Sequence, residues 1–142
     1  MTSRLTGALG PVGPLPEQLE QWRQRLLRQL PGPLHGVRTL FVGDPLKVIV
    51  SFEDDRVEVF LPQVEWAMPN VPRQKPLSQG SIALVDGTFD ALLELIEQTI
   101  RRRVQSFREC NCCGRRMPPE MMGSVSGQAT CRRCIEGRRL LL

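Results

Sequence analysis

Apolar residues recur every third or fourth position at Leu15, Leu19, Trp22, Leu26 and Leu30, a spacing that aligns them on one stripe of a helix. Pro16 suits the first turn, and Glu17 and Glu20 suit the positive end of the helix dipole. Pro31-Gly32-Pro33 ends the pattern. The period then falls to two. Val37–Val42, Leu46–Phe52 and Arg56–Leu61 are rich in β-branched residues and separated by Gly43-Asp44-Pro45 and Glu53-Asp54-Asp55, which predicts an antiparallel meander. In the third run Val57, Val59 and Leu61 alternate with Arg56, Glu58 and Phe60, so one face is expected to be buried and the other wetter.

Pro62, Pro69, Pro72 and Pro76 interrupt the pattern, and 62–80 reads as a long ordered loop of the kind that often carries function. Ser81–Val85 is expected to be a fourth strand. Asp86 or Thr88 then caps a long helix whose apolar positions are Phe89, Leu93, Ile96, Ile100, Val104 and Phe107. The expected fold class is α+β. A flexible Gly/Pro-rich stretch over 1–14 precedes a helix–antiparallel sheet–helix body over 15–108, and a basic, cysteine-containing module follows over 109–142.

Composition adds constraints. A chain of 142 residues, 41% hydrophobic and 24% charged, fits a globular domain with a small appended module. It has no Tyr, five Phe and two Trp, so the core must be mostly Leu, Val and Ile. No apolar run reaches the ~18 residues of a membrane span. The N-terminal residues lack the continuous apolar region of a signal peptide. A cytosolic location with reduced thiols is the expectation, without a membrane partner. The net charge of +4 is uneven: residues 1–100 carry nine Lys/Arg against twelve Asp/Glu, whereas 101–142 carry ten Arg against three Glu. The C-terminal end is therefore the partner-seeking one.

All five cysteines lie between 110 and 134. Cys110-Asn-Cys-Cys113 and Cys131-Arg-Arg-Cys134 form two C-x-x-C pairs seventeen residues apart. Two thiolates three positions apart can meet one ion across a tight turn, and two such pairs complete a tetrahedral shell. Cys110, Cys113, Cys131 and Cys134 are thus expected to bind one structural Zn²⁺. Cys112 falls out of register and is expected to be a spare, partly exposed thiol. Gly114 follows the second ligand, where a sharp turn is needed.

With the second pair opening a short Arg-rich helix, the stretch from about 108 to 140 resembles the treble-clef zinc-finger group; a plain zinc ribbon is the competing assignment. Many treble-clef proteins of this look are HNH-type nucleases, which need a histidine base. The sole histidine here, His35, lies far upstream. Neither a nucleophile elbow nor a phosphate-binding Gly-Lys-Ser/Thr occurs, Asp54-Asp55 reads as a hairpin turn, and a Cys₄ shell leaves no open position for activated water. The expectation is a non-catalytic protein without a small-molecule substrate.

Arg101, Arg102, Arg103, Arg108, Arg115, Arg116, Arg132, Arg133, Arg138 and Arg139 surround the cysteines. Some would only screen the −2 charge of a zinc-tetrathiolate. The remainder predict a grip on the phosphate backbone of DNA or RNA, dominated by charge, because Phe107 is the one aromatic near the module and has the pattern of a core residue. The alternative is an adaptor in which zinc is a fold staple and the basic face docks on an acidic protein, with Trp66 and Met68 of the Pro-rich loop as the recognition edge. Trp66 itself is expected to pack in the core.

Overall fold

The computed structural model describes residues 14–30, 34–68 and 71–141. Helix α1 spans Glu17–Gln29. Strands β1 (Leu34–His35), β2 (Thr39–Val42), β3 (Val48–Phe52) and β4 (Arg56–Leu61) follow. Next come β5 (Val64–Met68), β6 (Val71–Gln74) and β7 (Leu77–Ala83), and then α2 (Phe89–Gln105). The C-terminal segment contains β8 (Arg108–Glu109), β9 (Arg116–Met117), a 3₁₀ turn at Pro119–Met121, β10 (Met122–Val125), β11 (Gln128–Cys131) and α3 (Arg132–Leu141). The architecture is mixed α and antiparallel β. No described helix is long and apolar enough to cross a membrane.

Five strands form one sheet in the order β1-β2-β3-β4-β7. Leu40 pairs with Val50, and Val50 with Val59; Val42 pairs with Val48, and Phe52 with Val57. These side chains share one face. They form a single core with Leu19, Trp22 and Leu26 of α1 and Phe89, Leu92 and Ile96 of α2. Both helices therefore cover the same side of the sheet. Trp22 meets Phe89 edge-on at 6.4 Å, and the Arg25 guanidinium lies over the same ring. Thr88 caps α2 by accepting a hydrogen bond from the Ala91 amide.

The second face of the sheet is drier than its pattern predicts. Ile49 and Phe60 are cross-strand partners and both are buried, so Phe60 does not join Arg56 and Glu58 in water. β3, the central strand, is buried along its whole length.

Two expected elements differ. The first is the stretch 62–80, which is not a loop. β5 and β6 pair as a hairpin of their own, inserted between the sheet neighbours β4 and β7, and the last strand begins at Leu77 rather than Ser81. Prolines tolerate this because an isolated two-stranded ribbon has free edges on both sides. Trp66, in β5, is not core: it is 44% exposed.

The second difference is the face of α2. Its buried positions are Phe89, Leu92, Ile96, Thr99 and Arg103. Arg103 is 1% exposed and cannot grip phosphate. Its Nε donates to the Leu46 carbonyl at 2.9 Å, another guanidinium nitrogen donates to Glu120, and its Cζ lies 5.4 Å from the Phe107 ring centroid. One side chain thus ties the β2–β3 turn, α2 and the 3₁₀ turn together. Replacing Arg103 with Ala strands Glu120 beside the seam. It is expected to cost about 3 kcal/mol, toward the low end for a broken buried pair because the Glu120 side chain keeps 16% of its exposure. Urea unfolding of the metal-loaded protein measures it; a loss below ~1 kcal/mol would mean that the pair does not hold the seam.

Candidate metal centre

Each of the four paired cysteines is positioned by a different local device. Cys110 follows β8 directly, and Cys113 lies in the turn joining β8 to β9. That turn is closed by the Cys110 amide donating to the Arg115 carbonyl at 2.8 Å and the Gly114 amide to the Cys110 carbonyl at 2.9 Å. Gly114 has φ +76°, the left-handed region that other residues enter at a cost. Cys131 ends β11, and Cys134 lies in the first turn of α3. β10 and β11 are joined by Ser126-Gly127, both at positive φ, the conformation that a two-residue hairpin turn demands. A side chain at Gly123 would come within 2.8 Å of Ile135, so this glycine lets α3 lie close on the hairpin.

The Sγ atoms of Cys110, Cys113, Cys131 and Cys134 all lie within 4.8 Å of one another. A tetrahedron of sulfurs ~2.3 Å from a central zinc ion has edges of about 3.8 Å. The Cys113–Cys131 separation is 3.9 Å. The donor set and its size therefore fit a metal ion bound through four thiolates.

Backbone amides prepare the site for anionic sulfur. Cys110 Sγ accepts from the Cys131 amide at 3.2 Å and the Cys112 amide at 3.3 Å. The Cys131 amide is the largest influence, and with the other turn amides it outweighs burial and lowers the Cys110 thiol to about 6. Cys134 is pushed the opposite way, chiefly by its contact with Cys131 and then with Cys112, because thiols crowded this closely cannot all carry charge unaided. A cation between them removes that conflict. Cys112 is exposed and lies outside the four-sulfur group, as its register implies.

The hydrophobic content of this segment is small. Cys110, Met122 and Cys131, flanked by Met117 and Cys134, form its whole buried cluster among the described residues. Segments below about 40 residues rarely fold on so little without a metal or disulfide, and all five cysteines are free.

The arginines divide by role. Arg103 belongs to the core. Arg116 donates to the carbonyls of Val104 and Phe107 at 3.1 and 3.2 Å, closing the C-terminal end of α2, and Arg102 donates to Gln79. Arg132 is half-buried. Arg101, Arg108, Arg115 and Arg133 are exposed, and among the described residues none of them forms an ion pair. The side chains of Arg138, Arg139, Met68 and His35 lie outside the described residues. Trp66 was missed as part of this neighbourhood. It lines a cleft of about 650 Å³ together with Gln105–Arg108, Met122 and Ser124. No local sequence signal joins position 66 to position 108; the two meet only in the tertiary fold, as lining residues of one cleft.

Chelation is expected to expose the segment from 109 to 140 to protease while the sheet and α1 stay protected, and Cys131→Ser or Cys134→Ser should do the same. Limited proteolysis with mass mapping reads both; continued resistance of that segment after metal removal would contradict a structural metal. The lowered Cys110 thiol sets a pH dependence. A group depressed from 9.0 to about 6 on folding contributes stability in full above pH ~9 and loses it as pH falls through ~6. Metal retention, followed by release to a colorimetric chelator, should fall on acidification, because protons compete with the metal for the thiolates.

Compared with known proteins, the chain matches no family model, no curated protein and no solved structure.

Proposed function

We propose that this chain is a zinc-binding, non-catalytic protein whose basic C-terminal segment grips the phosphate backbone of a nucleic acid. The observation that carries the reading is the set of exposed arginines, Arg108, Arg115 and Arg133 on the segment that holds the Cys₄ cluster and Arg101 on α2, none of which forms an ion pair among the described residues. Guanidinium forks match phosphate oxygens two donors at a time, and a metal-stapled platform holds them at low entropic cost. An all-thiolate, closed donor set of this size favours zinc and leaves no site for activated water. The order of a two-cysteine turn, a hairpin and a helix bearing the last ligand in its first turn supports the treble-clef assignment over a plain ribbon.

The second reading, an adaptor for an acidic protein, is favoured by the apolar exposure on and beside the inserted hairpin: Trp66, Val71 and Leu77 are 44%, 45% and 50% exposed.

Fluorescence anisotropy of labelled DNA and RNA, titrated with the zinc-loaded chain, separates the two. Four phosphate contacts predict log K falling against log salt with a slope of about −3 to −4 on duplex DNA. Arg115→Gln or Arg133→Gln should flatten the slope by about one each. Absence of binding at low salt removes the nucleic-acid reading and leaves the basic face to a protein partner.

A further inference from the structure

Over residues 101–142 the sequence offers one aromatic, Phe107, and the structure buries it to 8% exposure. The fold supplies another from outside. Trp66 reaches the C-terminal segment from the β5–β6 hairpin, which stands apart from the five-stranded sheet. Across the ribbon Trp66 is paired with Pro72, and the ribbon is braced by Glu65 and Lys75 at 3.8 Å. The other tryptophan, Trp22, is 6% exposed in the core, whereas Trp66 is 44% exposed. Indole is the largest apolar side chain, and leaving nearly half of it in water costs apolar burial that the fold declines to recover.

The rest of the lining supplies what a bare apolar groove lacks. Arg108 is an exposed cation, Gln105 and Ser124 offer polar atoms, the Ser106 hydroxyl donates to the Arg103 carbonyl but can still accept, and Met122 adds apolar surface. No described lining residue is acidic. A flat π-face, a guanidinium and a few polar groups within about 650 Å³ match one nucleotide: a base for the ring, a phosphate for the cation, base edges for the amide and hydroxyls. A base paired in a duplex has no free face to offer. An apolar or proline-rich peptide would leave Arg108 without a partner.

We propose that this cleft takes one unpaired nucleotide of a single-stranded nucleic acid, with the base stacked on Trp66 and the adjoining phosphate on Arg108. The proposal rests on the phosphate-gripping reading and adds strandedness to it.

The test uses the full zinc-loaded chain, a labelled oligothymidylate, and the same oligomer annealed to its complement. Anisotropy gives affinity, and intrinsic tryptophan emission reports stacking. The single strand should bind more tightly than the duplex and quench the emission. Trp66→Ala should weaken single-strand binding by about 5- to 150-fold, the loss for one stacked base, while its salt slope stays unchanged; Trp66→Phe should recover most of the affinity. The residual emission of Trp66→Phe, which comes from buried Trp22, should not respond to the oligomer. Arg108→Gln should lower both affinity and salt slope. Zinc content and circular dichroism of each variant show that it is folded.

Salt-sensitive binding that ignores strandedness, leaves emission unchanged and survives Trp66→Ala would overturn this proposal while leaving the arginine reading intact. No binding of either oligomer at low salt overturns both. In that case, quenching by an acidic peptide would assign the cleft to a protein partner.

Discussion

A guanidinium taken out of water must find a partner for each of its faces and edges, and that demand sets where the C-terminal segment can sit. Arg103 meets it with a carbonyl from the β2–β3 turn, a carboxylate from the 3₁₀ turn and an aromatic ring from the residues just past α2. None of these alone would offset the desolvation of the charge. Together they make the position of the Cys₄ cluster conditional on the sheet and helix behind it. Arg116 acts from the other side, closing the end of α2 through two carbonyls. The cluster is therefore presented on the end of a braced helix rather than on a tether, so groups around it face solvent in fixed directions.

The metal site obeys a second constraint, which is the mutual repulsion of its own ligands. Backbone amides favour charge on Cys110, and the neighbouring sulfurs resist it on Cys134. The peptide framework brings the four sulfurs together but leaves their charges unbalanced, and a bound cation would supply the balance. The sparse apolar cluster around Met122 gives little else to hold the strands and α3 in place. Folding of this segment is accordingly expected to depend on metal occupancy.

Much of this was legible in the sequence, and the exceptions have physical reasons. The four ligands follow from C-x-x-C spacing because residues three apart can bring both sulfurs to one ion, whether a turn or the start of a helix joins them. The α1 stripe and strand β4 follow from period alone. The β5–β6 ribbon was hidden by its prolines, which mark breaks in a sheet but are harmless in a two-stranded ribbon. Arg103 was hidden by its neighbours, since three successive arginines look equally solvent-directed. The helical phase told them apart: starting from Phe89, steps of three and four lead through Leu92, Ile96 and Thr99 to Arg103. Following the apolar residues alone led instead through Leu93, Ile100 and Val104, which are only half-buried. Trp66 lies beyond any such reading, because it shares a cleft with Arg108 only through tertiary packing.

The inserted ribbon leaves the sheet at Leu61 and returns at Leu77, and those two residues are already cross-strand partners. The gap that the insertion must bridge is thus set by β4 and β7, whatever lies between them. Lengthening, shortening or rewriting 64–74 adds little loop-closure entropy and disturbs no ladder of the main sheet. That separates two evolutionary tasks within one chain. The sheet and the Cys₄ platform can be held constant by stability while the arm bearing Trp66 drifts, and the ligand choice of the cleft can change without any renegotiation of the fold.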